Sequence, residues 1–87
     1  MAEVKRKMVS LDRLNPGEKG RIGEMRLEAE TGQKLEDMGL VQGRMVECAY
    51  RSPWGDPTAY YVMGTLIAIR GEEAKNIKVE IGNGMGK

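Results

Sequence analysis

The chain has 87 residues, with 14 Lys and Arg against 13 Asp and Glu, one Cys and no His. This length suits one compact domain, and the balanced charge lacks the Lys/Arg excess with which nucleic-acid-binding proteins neutralise phosphates. The absence of imidazole and the single thiol exclude a His-based proton shuttle, a structural zinc site and an internal disulfide.

We expect no targeting signal in the N-terminal residues. Apolar stretches in the sequence are only a few residues long, whereas a bilayer-spanning helix needs about 20, and the first residues lack the apolar block of a signal peptide. We therefore expect a cytoplasmic protein. Basic residues cluster only at Lys5, Arg6 and Lys7, and we interpret residues 1–7 as a flexible, solvated N-terminus.

The first predicted strand covers residues 19–27 and requires a bulge. Ile22 and Met25 are an odd number of positions apart, so both side chains face the core only if the strand is interrupted between them. Gly23 permits such an interruption.

A short helix is predicted at residues 32–38. The hydroxyl of Thr31 is a candidate acceptor for an N–H of the first turn, and Gly39 ends the helix. With Gly39 in the left-handed conformation, Leu35 and Leu40 occupy the two positions whose apolar contact accompanies a Schellman motif. So short a helix requires packing on the strands to be stable.

Alternation of apolar and polar residues predicts the remaining strands. These strands cover residues 45–52, 58–62, 66–70 and 77–81, with turns at 15–17 and 52–57, a single helical turn at 71–76, and a flexible C-terminal tail at 82–87. About five short strands separated by Gly and Pro turns predict a small, mainly β barrel.

Few residues in this pattern offer chemistry. Cys48 lies within a strand and is interpreted as a small buried side chain rather than a reactive thiol. Trp54, in a turn-forming segment, either covers the open end of the barrel or anchors a partner. Tyr60 and Tyr61 are adjacent on one strand and must point to opposite faces, so at least one meets solvent or a partner. Leu40 is either core or part of an apolar surface.

Two segments carry a family resemblance. They read KLEDMGLVQGRMV at residues 34–46 and SPWGDP at residues 52–57. With these segments the chain resembles the FeoA family, small cytosolic proteins of bacterial ferrous iron uptake, and the likeness extends over about residues 8–81. The resemblance implies an SH3-like barrel at 8–81 with a short helical insertion and a one-turn helix before the last strand. It also implies no enzymatic activity and the membrane transporter FeoB as partner. From the residue inventory we expect no cofactor.

The leading hypothesis is therefore an accessory protein that binds FeoB, meets the membrane only through it, and modulates iron transport. The expected contact surfaces are the helix end and the loop that follows the second strand of the barrel: Leu35, Met38, Gly39 and Leu40, with Pro53, Trp54, Gly55, Asp56 and Pro57. One alternative is a direct sensor or carrier of transition metal, similar to the SH3-like domain of iron-dependent repressors, and another is a nucleic-acid-binding barrel, which requires the basic N-terminal residues. An exposed barrel edge could also pair with a second copy.

Overall fold

The computed structural model describes residues 5–83, and the side chains of residues 6–82. Six strands, two α-helices and a 3-10 turn follow one another in this range. They are β1 (Lys5–Ser10), the 3-10 turn (Leu11–Arg13), β2 (Lys19–Met25), α1 (Ala29–Asp37), β3 (Met45–Arg51), β4 (Thr58–Val62), β5 (Thr65–Ile69), α2 (Gly71–Ala74) and β6 (Ile77–Asn83). Within the described range, no helix is long and apolar enough to span a membrane.

All strand pairs are antiparallel, and they form one sheet in the order β1-β6-β2-β3-β4-β5. The inward side chains of β2 to β6 share a single core with Leu11, Leu14, Leu35, Leu40 and Ala74. The mainly β architecture is confirmed, with six strands instead of about five.

The additional strand is β1, which pairs with β6 from Lys5 opposite Asn83 to Ser10 opposite Lys78. The expected flexible N-terminus is therefore too long, because its basic residues at positions 5–7 are part of the sheet. The expected flexible tail at 82–87 likewise begins too early, since β6 continues through Asn83. The rest of both expected tails, residues 1–4 and 84–87, lies outside the described residues.

The predicted bulge in β2 is confirmed. Ile22 pairs with Val79 and Met25 with Ile77, and the register of the β2–β6 ladder shifts between these two pairs. The shift lets Ile22 be buried while Met25 packs against the same core.

The short helix begins earlier than expected. It starts at Ala29 with Glu28 as N-cap, and no side chain caps it, so the predicted capping role of Thr31 is wrong. Its end is as predicted: Met38 is the C-cap, Gly39 has φ +105°, and Leu40 N–H donates to the Leu35 carbonyl at 3.0 Å. The companion bond from Gly39 N–H to the Glu36 carbonyl, 2.9 Å long, completes the Schellman motif.

Candidate partner-binding surfaces

The end of α1 belongs largely to the core. Leu35 and Leu40 are 3% and 0% exposed, because the Schellman motif turns the chain back onto the sheet. These two side chains are therefore core residues and are not exposed on the surface expected from the sequence. Met38 is half-buried and packs against the core, and the Gly39 carbonyl accepts a hydrogen bond from Arg44 Nη1 at 3.2 Å.

The loop at residues 52–57 has the opposite character, since Pro53 to Pro57 are all exposed. Trp54 is 89% exposed, more than any other large apolar side chain of the described residues. Trp54 therefore does not cover the open end of the barrel, which was the first of the two roles expected for it.

This loop is nevertheless held in place by hydrogen bonds. Ser52 N–H donates to the Pro57 carbonyl at 3.1 Å, and Gly55 N–H donates to the Ser52 carbonyl at 2.8 Å. Asp56 Oδ1 accepts a hydrogen bond from Gly71 N–H at 2.7 Å, which ties the loop to the first residue of α2. The loop therefore presents Trp54 on a fixed backbone.

The two expected contact surfaces lie at opposite ends of β4. At Gly39, an added Cβ would lie 3.5 Å from Val62 Cγ1, and Val62 is the last residue of β4. Pro57 directly precedes Thr58, the first residue of that strand. Five residues of strand separate the two surfaces by about 13 Å, so the structure does not bring them together into one site.

A further exposed apolar surface was missed by the sequence analysis. We define the outer-face patch as Met45, Tyr61, Met63 and Leu66, whose side chains are between 43% and 70% exposed. Tyr61 pairs directly with Leu66 on β5, so the patch crosses neighbouring strands. The prediction that Tyr60 and Tyr61 point to opposite faces is confirmed, with 1% and 45% exposure. That alternation was the one sequence signal for this surface.

The Cys48 thiol and the Tyr60 hydroxyl are both buried. Cys48 is a free, fully buried thiol, and burial raises its pKa, which keeps it protonated and unreactive at neutral pH. The Tyr60 hydroxyl donates to the Leu11 carbonyl at 3.4 Å, and burial raises its pKa to about 12. Among residues 5–83, no three His, Cys, Asp or Glu side chains come together in a way that could hold a metal ion.

The family model and the similar solved structures all point to the same family. The FeoA domain model matches residues 9–81. The solution structure of the FeoA protein from Chlorobium tepidum is 30% identical with a TM-score of 0.81, over 84% of this chain and 70% of that one. Iron(II) transport protein A from Clostridium thermocellum is 36% identical with a TM-score of 0.79, over 84% of this chain and 45% of that one. No match was found among curated proteins.

A third similar structure bears on fold and metal binding. It is the FeoA protein of Stenotrophomonas maltophilia, an SH3 domain protein in complex with zinc. It is 27% identical with a TM-score of 0.70, over 82% of this chain and 88% of that one. The SH3-like fold expected from the sequence is thereby confirmed.

Proposed function

The chain belongs to the FeoA family, and from that premise we propose that it is a non-enzymatic accessory protein of ferrous iron transport that binds the transporter FeoB through its Pro53–Pro57 loop. The observation that carries this proposal is the 89% exposure of Trp54 on a loop fixed by hydrogen bonds. The indole on this loop is a large apolar surface that the residues described by the structure leave uncovered.

Binding through this loop costs little conformational entropy. Tryptophan is enriched among residues that dominate interface energies, and its flat ring loses little conformational entropy when it is bound. The hydrogen bonds of Asp56 and Ser52 already order the loop backbone, so a partner does not have to order it. Pro53 and Pro57 further restrict the chain on both sides.

Modulation of transport requires that the protein distinguish between states of FeoB. A bound protein shifts a conformational equilibrium only by its difference in affinity for the two conformations. We propose that the loop binds the cytosolic, GTP-binding part of FeoB more tightly in one nucleotide state than in the other. The protein acts in this account on the cytoplasmic side, without binding nucleic acid.

Direct binding of metal is the second candidate function. The zinc-bound Stenotrophomonas structure makes it worth testing, but the described residues contain no cluster of candidate ligands. Anaerobic calorimetric titration with Fe(II) separates the two functions. The proposal predicts no heat of binding at sub-millimolar metal, and a saturable heat would favour the metal sensor or carrier.

The proposal is tested by binding of the purified protein to full-length FeoB in detergent, with GTP analogue, with GDP and without nucleotide. Trp54→Ala is expected to weaken binding by about tenfold or more. The matched control is Met8→Ala, because Met8 is 51% exposed but lies on β1, away from the loop. Absence of binding in every nucleotide state would contradict the function, and equal affinity of Trp54→Ala and the native chain would contradict the surface.

A further inference from the structure

The two edge strands of the sheet differ in how well they are protected against pairing with another strand. The strand order places β1 at one margin and β5 at the other, and within residues 5–83 β5 pairs only with β4. Such an edge presents unpaired backbone groups to any other extended strand.

The turn that precedes β5 fixes which backbone groups are unpaired. Met63 and Gly64 connect β4 to β5 with φ values of +53° and +78°, which defines a two-residue turn of type I′. Val62 and Thr65, which flank this turn, therefore form a hydrogen-bonded pair. Such pairs recur at every second residue of an antiparallel ladder, so the N–H and C=O groups of Leu66 and Ala68 point away from β4.

The side chains of β5 do not prevent a second strand from pairing there. Proteins commonly protect a free edge with charged residues, especially Lys. At the other margin, β1 carries Lys5, Arg6 and Lys7. In contrast, β5 has the sequence TLIAI with no charge, and its Leu66 and Ala68 side chains are exposed.

We propose that β5 pairs antiparallel with β5 of a second copy of this chain, so that two barrels join through a continuous sheet. A two-fold axis at Ile67 places Leu66 opposite Ala68 of the partner subunit, and the unpaired backbone groups then exchange about four N–H···O=C hydrogen bonds. In this register a large side chain meets a small one on the outer face, beside Tyr61.

A second copy fits this edge better than a foreign strand of charged sequence. A two-fold interface must be complementary to itself. The β5 segment meets that condition because it carries no charge and because the large Leu66 of each copy lies opposite the small Ala68 of the other. The proposal does not rest on FeoB binding, because it uses the backbone groups of Leu66 and Ala68 and not the side chains of the Pro53–Pro57 loop.

Sedimentation equilibrium of the full chain from micromolar to millimolar concentration tests this proposal. The native protein is expected to shift from monomer to dimer. Ala68→Pro removes an N–H that β4 does not use, and proline is tolerated at such edge positions. Because the bond is lost once in each subunit of the dimer, we expect association to weaken by about tenfold or more.

Two lysine variants serve as companion and control. Leu66→Lys places a charge at the β5 edge and is expected to abolish the dimer, which keeps the test decisive if Ala68→Pro disturbs folding, as monitored by circular dichroism. Met8→Lys places the same charge on the exposed β1 edge and is expected to dimerise like the native chain. A native chain that stays monomeric at millimolar concentration, or a dimer that both β5 variants retain, would overturn the proposal.

Discussion

Asp56 and Gly71 are 15 residues apart in sequence, and the carboxylate oxygen of Asp56 accepts a hydrogen bond from the Gly71 amide at 2.7 Å. One bond thus joins the loop that carries Trp54, the most exposed large apolar side chain of the described residues, to the start of α2. A carboxylate at a helix N-terminus satisfies a donor that has no partner within the helix. The same bond restrains the backbone that carries Trp54.

Asp56→Ala tests both roles of this bond. We expect the free energy of unfolding to fall by about 1 kcal/mol, as for loss of a helix cap, and the fluorescence anisotropy of Trp54 to decrease because its loop is less restrained. The control is Asp12→Ala, which removes an exposed carboxylate for which the described residues show no hydrogen bond. Equal effects of the two substitutions on unfolding in urea would contradict the capping role.

Two glycines of the α1 region, one inside the helix and one in the Schellman motif that ends it, are expected to respond in opposite ways to substitution by alanine. Gly39→Ala forces an alanine into φ +105° and should destabilise the protein by about 1 to 2 kcal/mol. Gly32→Ala lies inside the helix with no atom closer than 3.9 Å to the added Cβ and should stabilise it by about 0.5 to 1 kcal/mol. Thermal unfolding of the two variants decides the matter, since a shift of both in the same direction is inconsistent with this helix end.

Ionisation of the Tyr60 hydroxyl, which is buried in the folded chain, is expected to lower the free energy of unfolding at alkaline pH. Burial raises its pKa from 10.0 to about 12, so between pH 10 and 12 the unfolded chain loses a proton that the folded chain keeps. The stabilisation is fully present below pH 10 and declines above it, by up to about 1.4 kcal/mol per pH unit.

Tyrosine-to-phenylalanine variants measure this contribution. We expect Tyr60→Phe to reduce the slope of the unfolding free energy against pH between pH 10 and 12, measured in urea, by the contribution of about one proton. Tyr61→Phe, at the exposed neighbouring position, is the matched control. If Tyr60→Phe kept the native slope, the buried hydroxyl would not be the group responsible.

Cys48 provides a probe of the core that needs no substitution. Because the thiol is fully buried and burial raises its pKa, reaction with iodoacetamide at neutral pH requires opening of the barrel. We expect alkylation to be at least about a hundredfold slower than in denaturant, as followed by mass spectrometry. Rapid modification of the native protein would show that the β3–β4 region opens readily.

The features that the sequence predicted correctly depend on local chain physics. The bulge in β2 follows from the spacing of Ile22 and Met25, and the Schellman motif follows from Gly39 between Leu35 and Leu40. Each of these needs only a few neighbouring residues to be recognised. The family resemblance supplied the SH3-like topology as a whole.

The features that the sequence did not predict depend on distant partners. Residues Lys5 to Lys7 form a strand because β6, more than 70 positions away in sequence, offers a ladder for them. The sequence around Leu40 is compatible with a surface as well as with the core, and only the packing of α1 on the sheet shows that this side chain is fully buried. The outer-face patch likewise exists because pairing of β3, β4 and β5 aligns side chains from separate segments.

The proposed function depends above all on contact between Trp54 and FeoB, and the chain contains a single Trp. The most direct measurement is therefore the ¹⁹F NMR spectrum of protein labelled with 5-fluorotryptophan during titration with the purified cytosolic domain of FeoB. The account predicts one resonance that shifts or broadens saturably, with a different affinity in the GTP and GDP states. A sharp resonance that stays at its free position while the two proteins bind, or no binding in either state, would contradict it.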